Sequence, residues 1–223
     1  MSFHLIEQQR EIPLLMDSRF MPSIFDGTKK LTRRPAKLEA REPGWNLNFS
    51  GLEAGYYFTD LPESGWVLRS RDGNGLWNDR TKPAHSPHGR AGDVLWLREA
   101  WRVHRKFDDV APVDVVTMFG SDLYGVDYYD RPSKAKHWGK WRPSILMPRA
   151  FCRCRVKVVS SRLERLLQIT PEDAIAEGMR SPHPRAEFLE VWDAIYGCKN
   201  SDHRCTRNPW IWRTEFQLLK GGA

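Results

Sequence analysis

Gly92-Asp93-Val94-Leu95-Trp96-Leu97-Arg98-Glu99-Ala100-Trp101 is the stretch from which the fold is read, because a Gly-Asp turn opens it and β-forming residues fill it. Side chains alternate along a strand, so Val94, Trp96, Arg98 and Ala100 point one way and Leu95, Leu97, Glu99 and Trp101 the other. One charged residue from each face then falls near the strand's far end. Arg98 and Glu99 are either satisfied by a salt bridge, as buried charges usually are, or part of a functional site.

Downstream, Phe151 to Val159 reads as a second strand, with Cys152, Cys154, Val156 and Val158 on a core face and Arg153, Arg155 and Lys157 on a basic one. Thr170 to Gly178 carries helix punctuation at both ends. Thr170 is the N-cap, Pro171 takes the first position, Asp173 stands near the capping-box position and Gly178 terminates. Glu177 falls in the last turn, where the helix dipole disfavours an anion, and its position alone reads as a solvent-exposed glutamate. Pro184 to Tyr196 is a further helix, whose Phe188, Leu189, Trp192, Ile195 and Tyr196 share a core face, and Pro209 to Phe216 is the final strand.

Upstream, residues 1–12 read as a loosely held arm and Pro13 to Met16 as a short buried strand. Asp17 or Ser18 caps a short helix running through Phe20, Met21, Ile24 and Phe25, and Gly27 stands just past its end. Then comes Gly27-Thr28-Lys29-Lys30-Leu31-Thr32-Arg33-Arg34-Pro35-Ala36-Lys37, with five cations and two hydroxyls but no acid between Asp26 and Glu39. Such a stretch is built to meet an anion, or it is a basic surface turn. Lys29 and Thr32 are three apart, so an irregular segment aims both into one cleft. Residues 38–88 and 104–140 read as loop-rich insertions in a single domain spanning 13–220, the first built of hairpins around the turn Asp72-Gly73-Asn74-Gly75. Near the end of the second, Lys140-Trp141-Arg142 sets an aromatic between two cations, the combination that stacks bases and neutralises phosphates.

Lys plus Arg number 35 against 28 Asp plus Glu in 223 residues, a net charge of +7 that favours polyanionic partners. No apolar run approaches the ~20 residues of a membrane helix, and the first thirty residues, with Glu7, Glu11 and Asp17, do not resemble a signal peptide. The expectation is a cytoplasmic protein without a membrane partner. Cys152, Cys154, Cys198 and Cys205 make no disulfide framework in a chain of this size. Cys152 and Cys154 on one strand face, with Cys198, His203 and Cys205 in one loop, make a zinc site conceivable, but Cys-x-Cys is not the usual zinc spacing. Unpaired thiols, with no metal and no cofactor, are the expectation.

Several stretches together resemble one family. Gly27 to Pro35 looks like the Gly-Arg-Lys-Thr-x-Thr-Arg-Arg-Pro signature of proteins with an activating signal cointegrator homology (ASCH) domain. Gly92 to Trp101 resembles the strand that follows it, and Trp141 to Arg149 the Trp-x-Pro-Ser-Ile-His-Met-Pro-Arg segment of phage and prophage members. Thr170 to Met179 and Phe188 to Phe216 fit the same pattern, so the resemblance runs from about Leu14 to Leu218. It implies an α+β chain with a small PUA-like β-barrel, flanking helices, and RNA or a modified nucleoside as ligand. It also implies a bacterial host's cytoplasm where the protein is phage-encoded.

One enzyme type in the family is an amidohydrolase that removes the acetyl group of N4-acetylcytidine, using a Lys, a Thr three residues later and a Glu in the later helix. Those positions hold Lys29, Thr32 and Glu177, with Thr32 as nucleophile, Lys29 as base and Glu177 as proton shuttle or orienter. A lysine acts as base only when neutral, so its pKa must fall well below the ordinary ~10.4. Lys30, Arg33 and Arg34 surround the pair as cations, and Arg98, Glu99, Trp101 and Trp141 are the other candidate ligand contacts. Two positions depart from the pattern: Lys30 replaces the usual Thr, and Leu146 the usual His. A non-catalytic RNA-binding module and a ribonuclease share these residues and stay open.

Overall fold

The computed structural model describes residues 9–58, 61–119 and 125–219. In chain order, strand β1 spans Glu11–Leu15, helix α1 Met21–Phe25, β2 Leu31–Pro35, β3 Glu53–Phe58, β4 Leu61–Arg71 and β5 Trp77–Asp79. There follow β6 at Val94–Arg98, β7 at Trp101–Val103, α2 at Pro112–Phe119 and β8 at Val126–Tyr128. The chain closes with β9 at Arg155–Arg165, α3 at Pro171–Ala176, α4 at Pro184–Trp192 and β10 at Trp210–Leu218. It is thus α+β. None of the sheets among the described residues closes into a barrel.

Its contacts gather into two compact units. Of the described residues, the first holds those up to Lys29, those within 91–159 and those from Phe216; the second holds those within 30–90 and 160–215. The boundary falls inside β9, after Val159, and inside β10, after Glu215.

In the first unit β1 lies parallel to β6, with Leu14 beside Leu97, and β6 lies antiparallel to the start of β9, with Leu95 beside Val156. Alternation along β6 is as the sequence requires: Leu95, Leu97, Glu99 and Trp101 are all at 0% exposure. Leu14, Met21, Ile24, Leu95, Leu97, Val156 and Val158 form one core around it. The strand expected to run through Trp101 stops at Arg98. The next two backbone N–H groups leave the ladder, Glu99 N donating to Met147 Sδ and Ala100 N to Ser18 Oγ. Trp101 then pairs with Tyr128 in a separate two-stranded ribbon, β7–β8.

Three further expectations are corrected in this unit. Glu11 and Ile12, read as part of an arm, are the first residues of β1, and Glu11 is held by Arg149 at 2.9 Å; residues 1–8 of that arm lie outside the described residues. The strand expected over Phe151 to Val159 begins only at Arg155, because Arg149–Phe151 forms a short helical turn after Pro148, and it runs on to Arg165. Nor is the face read as basic simply so: Arg153, which lies just before the strand, pairs with Glu99 at 2.7 Å and Asp130 at 2.5 Å.

In the second unit the latter part of β9, then β10, then β2 stand side by side. Register places Thr32 opposite Thr214 and Arg33 opposite Arg213. One face of this sheet, carrying Leu163 and Trp212, packs on Leu52 and Leu68 from β4 and the segment before β3. The antiparallel β3–β4–β5 sheet occupies part of the stretch read as an insertion. Its Asp72 turn forms as expected, with Asp72 Oδ1 accepting from Asn74 N and Leu76 N at 2.8 and 2.9 Å. The helix α3 also has the expected ends: Thr170 Oγ1 accepts from Asp173 N at 3.1 Å, and Gly178 takes a φ of 95°, which an L side chain rarely adopts.

Candidate functional site

The site in the second unit is assembled around Arg33. Consecutive strand residues point to opposite faces, so Thr32 and Arg33 cannot share one. Arg33 and Arg213 stand on the face away from the Leu163–Trp212 core, and there the Arg33 side chain, with 0% exposure, meets three carboxylates. Its Nη2 lies 2.9 Å from Glu164 Oε1 and also bonds Asp173; its Nη1 lies 3.3 Å from Glu177 Oε1. Asp173 in turn accepts from Arg213 Nη2 at 3.1 Å, and Glu164 from Arg162 Nε at 2.8 Å.

The electrostatics follow from that geometry. Burial works against the Arg33 charge, but Glu177, Glu164 and Asp173 outweigh it and raise its pKa above the ordinary arginine value. Burial likewise works against the Asp173 anion, and Arg213 and Arg33 together pull its pKa below the usual carboxylate range. The cluster is therefore a charged network that is nearly neutral in sum. It is held by charge-assisted bonds in a place where an unpaired member would be costly.

Glu177, read from its position as exposed, is 3% exposed. It is the C-cap of α3, and the Arg33 guanidinium beside it helps to offset the unfavourable helix end. Thr32, 4% exposed, stands opposite Thr214, whose Oγ1 lies 3.2 Å from Ser161 Oγ. Lys30 is exposed and its N–H donates to Ala176 O at 2.8 Å, tying the start of β2 to α3. Arg34 Nη1 donates to Tyr196 Oη at 2.7 Å.

Lys29 belongs to the first unit, where it is 4% exposed, with its N–H on Ser23 O at 2.8 Å and Nζ 4.8 Å from the centre of the Phe20 ring. The other candidate contacts are also there. Arg98 donates to Ile145 O and lies over Trp96. Glu99 is fully buried against Arg153, whose pKa is lifted by Glu99 and Asp130 in spite of burial. Trp101 is fully buried, 5.2 Å from the Phe151 ring, and so has no open face on which a base could stack. Trp141 is partly exposed, with the Arg102 guanidinium 4.3 Å from its ring centre and Tyr129 edge-on at 5.0 Å.

No family model, curated protein or solved structure matches this chain. The geometry must carry the functional argument.

Glu164, Asp173 as a ligand of Arg33, Arg213 and Arg162 were not singled out from the sequence as site residues. A faint signal existed for Glu164, a carboxylate set between Leu163 and Leu166. The cysteines stay free, Cys152 and Cys154 buried, and Cys205 Sγ bonds Asp193 at 3.1 Å. Among the described residues no group of three or more His, Cys, Asp and Glu could hold a metal ion, and no helix is long and apolar enough to cross a membrane.

Proposed function

We propose that this chain is an ASCH-type protein of PUA-like kinship that takes RNA or a modified nucleoside and hydrolyses an N4-acylated cytidine-type amide. The roles come from the resemblance. Thr32 Oγ adds to the acyl carbon while Lys29 takes its proton, the C–N4 bond breaks, and the amine leaves with that proton under the guidance of Glu177. Water then cleaves the threonyl ester to release the acid. The observation that supports this reading is the burial of Glu177, because the carboxylate that the resemblance assigns to the reaction is kept out of water at the end of α3 and held there by the Arg33 guanidinium, where its position alone would leave it in solvent.

A second reading is a binding module without catalysis. It is favoured by strand alternation, which sets Thr32 on the face opposite Arg33 and its carboxylates. Incubation of the full chain with N4-acetylcytidine, followed by chromatography for cytidine, separates the two. Turnover that falls at least about a hundredfold in Lys29→Ala, with the circular dichroism spectrum unchanged, is expected for the enzyme. No turnover by the unsubstituted chain sinks it, and saturable binding of a single-stranded RNA then establishes the module.

A further inference from the structure

A cleft of about 900 Å³ opens in the second unit, with Asn48, Ser50, Glu53, Arg165, Arg207 and Asn208 among its lining residues. Its volume is in the range of small-molecule sites. None of its lining residues is among those that the resemblance assigns to the reaction.

What distinguishes the cleft is a surplus of oriented donors. Among the described residues the Arg165 guanidinium has three contacts, none of them a carboxylate: Nη1 donates to Asn208 O and Nη2 to Phe49 O, each at 3.0 Å, and the group lies 4.2 Å from the Trp210 ring centre. A guanidinium carries five N–H groups, so about three remain for a ligand. Arg207 is exposed and has no ion pair or side-chain hydrogen bond among the described residues. The amides of Gln168 and Asn208 are oriented too. Gln168 Oε1 accepts from Arg165 N at 2.9 Å and Asn208 Oδ1 from Leu167 N at 2.8 Å, so each presents its NH2 group onward. Asn208 reaches this place through a left-handed backbone, φ 48°, a conformation that asparagine tolerates better than most residues.

The acids of the cleft do not cancel these donors. Glu164 is spent on Arg33 and Arg162, whereas Glu53 is exposed and forms no ion pair among the described residues. Two guanidinium groups and two NH2 groups lining one cleft suit an acceptor with several oxygens in three dimensions, which a phosphate supplies and a planar carboxylate does not. Glu53 at the rim would accept from hydroxyls.

We infer that this cleft binds a small phosphorylated, hydroxyl-bearing ligand, a sugar phosphate or nucleoside monophosphate, with Arg165 and Arg207 on its phosphate. The phosphodiesters of a polynucleotide offer related oxygens, and the test distinguishes them. Isothermal titration of the full chain is run with inorganic phosphate, ribose 5-phosphate, ribose, cytidine 5′-monophosphate, and a uridine tetranucleotide lacking terminal phosphates. Saturable binding of at least one monophosphate, none of ribose, and an affinity weakened about tenfold or more in Arg207→Gln are expected. The exposed Arg207 side chain makes no hydrogen bond or ion pair among the described residues, so Arg207→Gln keeps the test sound where an Arg165 variant fails to fold. Silence from every phosphorylated probe, equal binding of ribose and ribose 5-phosphate, monophosphate binding that survives Arg207→Gln, or binding of the tetranucleotide alone each overturns the inference. The acetylcytidine assay is read separately, so failure of one reading leaves the other standing.

Discussion

Arg33 shows how one side chain can be consumed by its surroundings. A residue with 0% side-chain exposure and three carboxylate partners cannot also meet a phosphate, whatever its place in a basic run. Removing it leaves three carboxylates crowded and largely buried. Arg33→Met is therefore expected to cost about 3–5 kcal/mol in a urea titration, the range for breaking a buried ion pair. Arg33→Lys should recover less than half of that, since an ammonium offers one charged point where the guanidinium forks to several. A loss under about 1 kcal/mol for Arg33→Met would show the network to be far weaker than its geometry. His88 gives the pH counterpart. Burial first, and then the Arg34 charge, push its pKa down to about 4 from the ordinary histidine value of 6.5. The folded chain thus binds fewer protons than the unfolded chain between those values, and stability is full above pH 6.5 and lost as pH falls toward 4. His88→Gln should remove a slope worth on the order of 2 kcal/mol across that window, read as the difference in urea midpoints at pH 7 and pH 4.5.

At the scale of elements, α3 is the part on which the site depends, because Asp173 and Glu177 both ride on it. It spans only six residues, too few to stand by propensity alone, so its caps matter more than in a long helix. Thr170→Ala removes the bond from Asp173 N and should cost about 1 kcal/mol. Gly178→Ala forces a side chain onto a φ of 95° and should cost at least about 1 kcal/mol. Additive loss in the double variant, read from urea midpoints, would show the two ends acting independently. Both caps were legible in the sequence, as was the grouping of Leu95, Leu97, Glu99 and Trp101 on one face, because local chemistry and a period of two decide them; that this face is the buried one was not. The end of β6 was not legible. It is set by Ser18 and Met147, which capture the next two N–H groups from 82 and 48 residues away. The burial of Glu177 was hidden for the same reason, its partner Arg33 lying 144 residues earlier.

For the whole molecule, net charge is a poor guide to where a polyanion could lie. Of the five cations between Gly27 and Lys37, only Lys30 and Lys37 are exposed; Lys29 and Arg33 are buried and Arg34 is partly so, on Tyr196. Elsewhere Arg102 is spent on Asp127, and Arg153 on Glu99 and Asp130. The sequence displayed these charges but not their partners, which is why the stretch read as a field facing phosphates. Counterion release turns this difference into a measurement, since each phosphate neutralised on a single strand contributes about −0.7 to the slope of log K against log salt. Binding of a single-stranded RNA through this stretch should then have a slope near −1.4, set by Lys30 and Lys37, whereas all five cations would give about −3.5. Lys30→Gln with Lys37→Gln should flatten the slope almost completely while leaving the urea midpoint unchanged, because neither side chain is buried. A slope as steep as that of five contacts, or one that persists in the double variant, would place the RNA on another face of the protein.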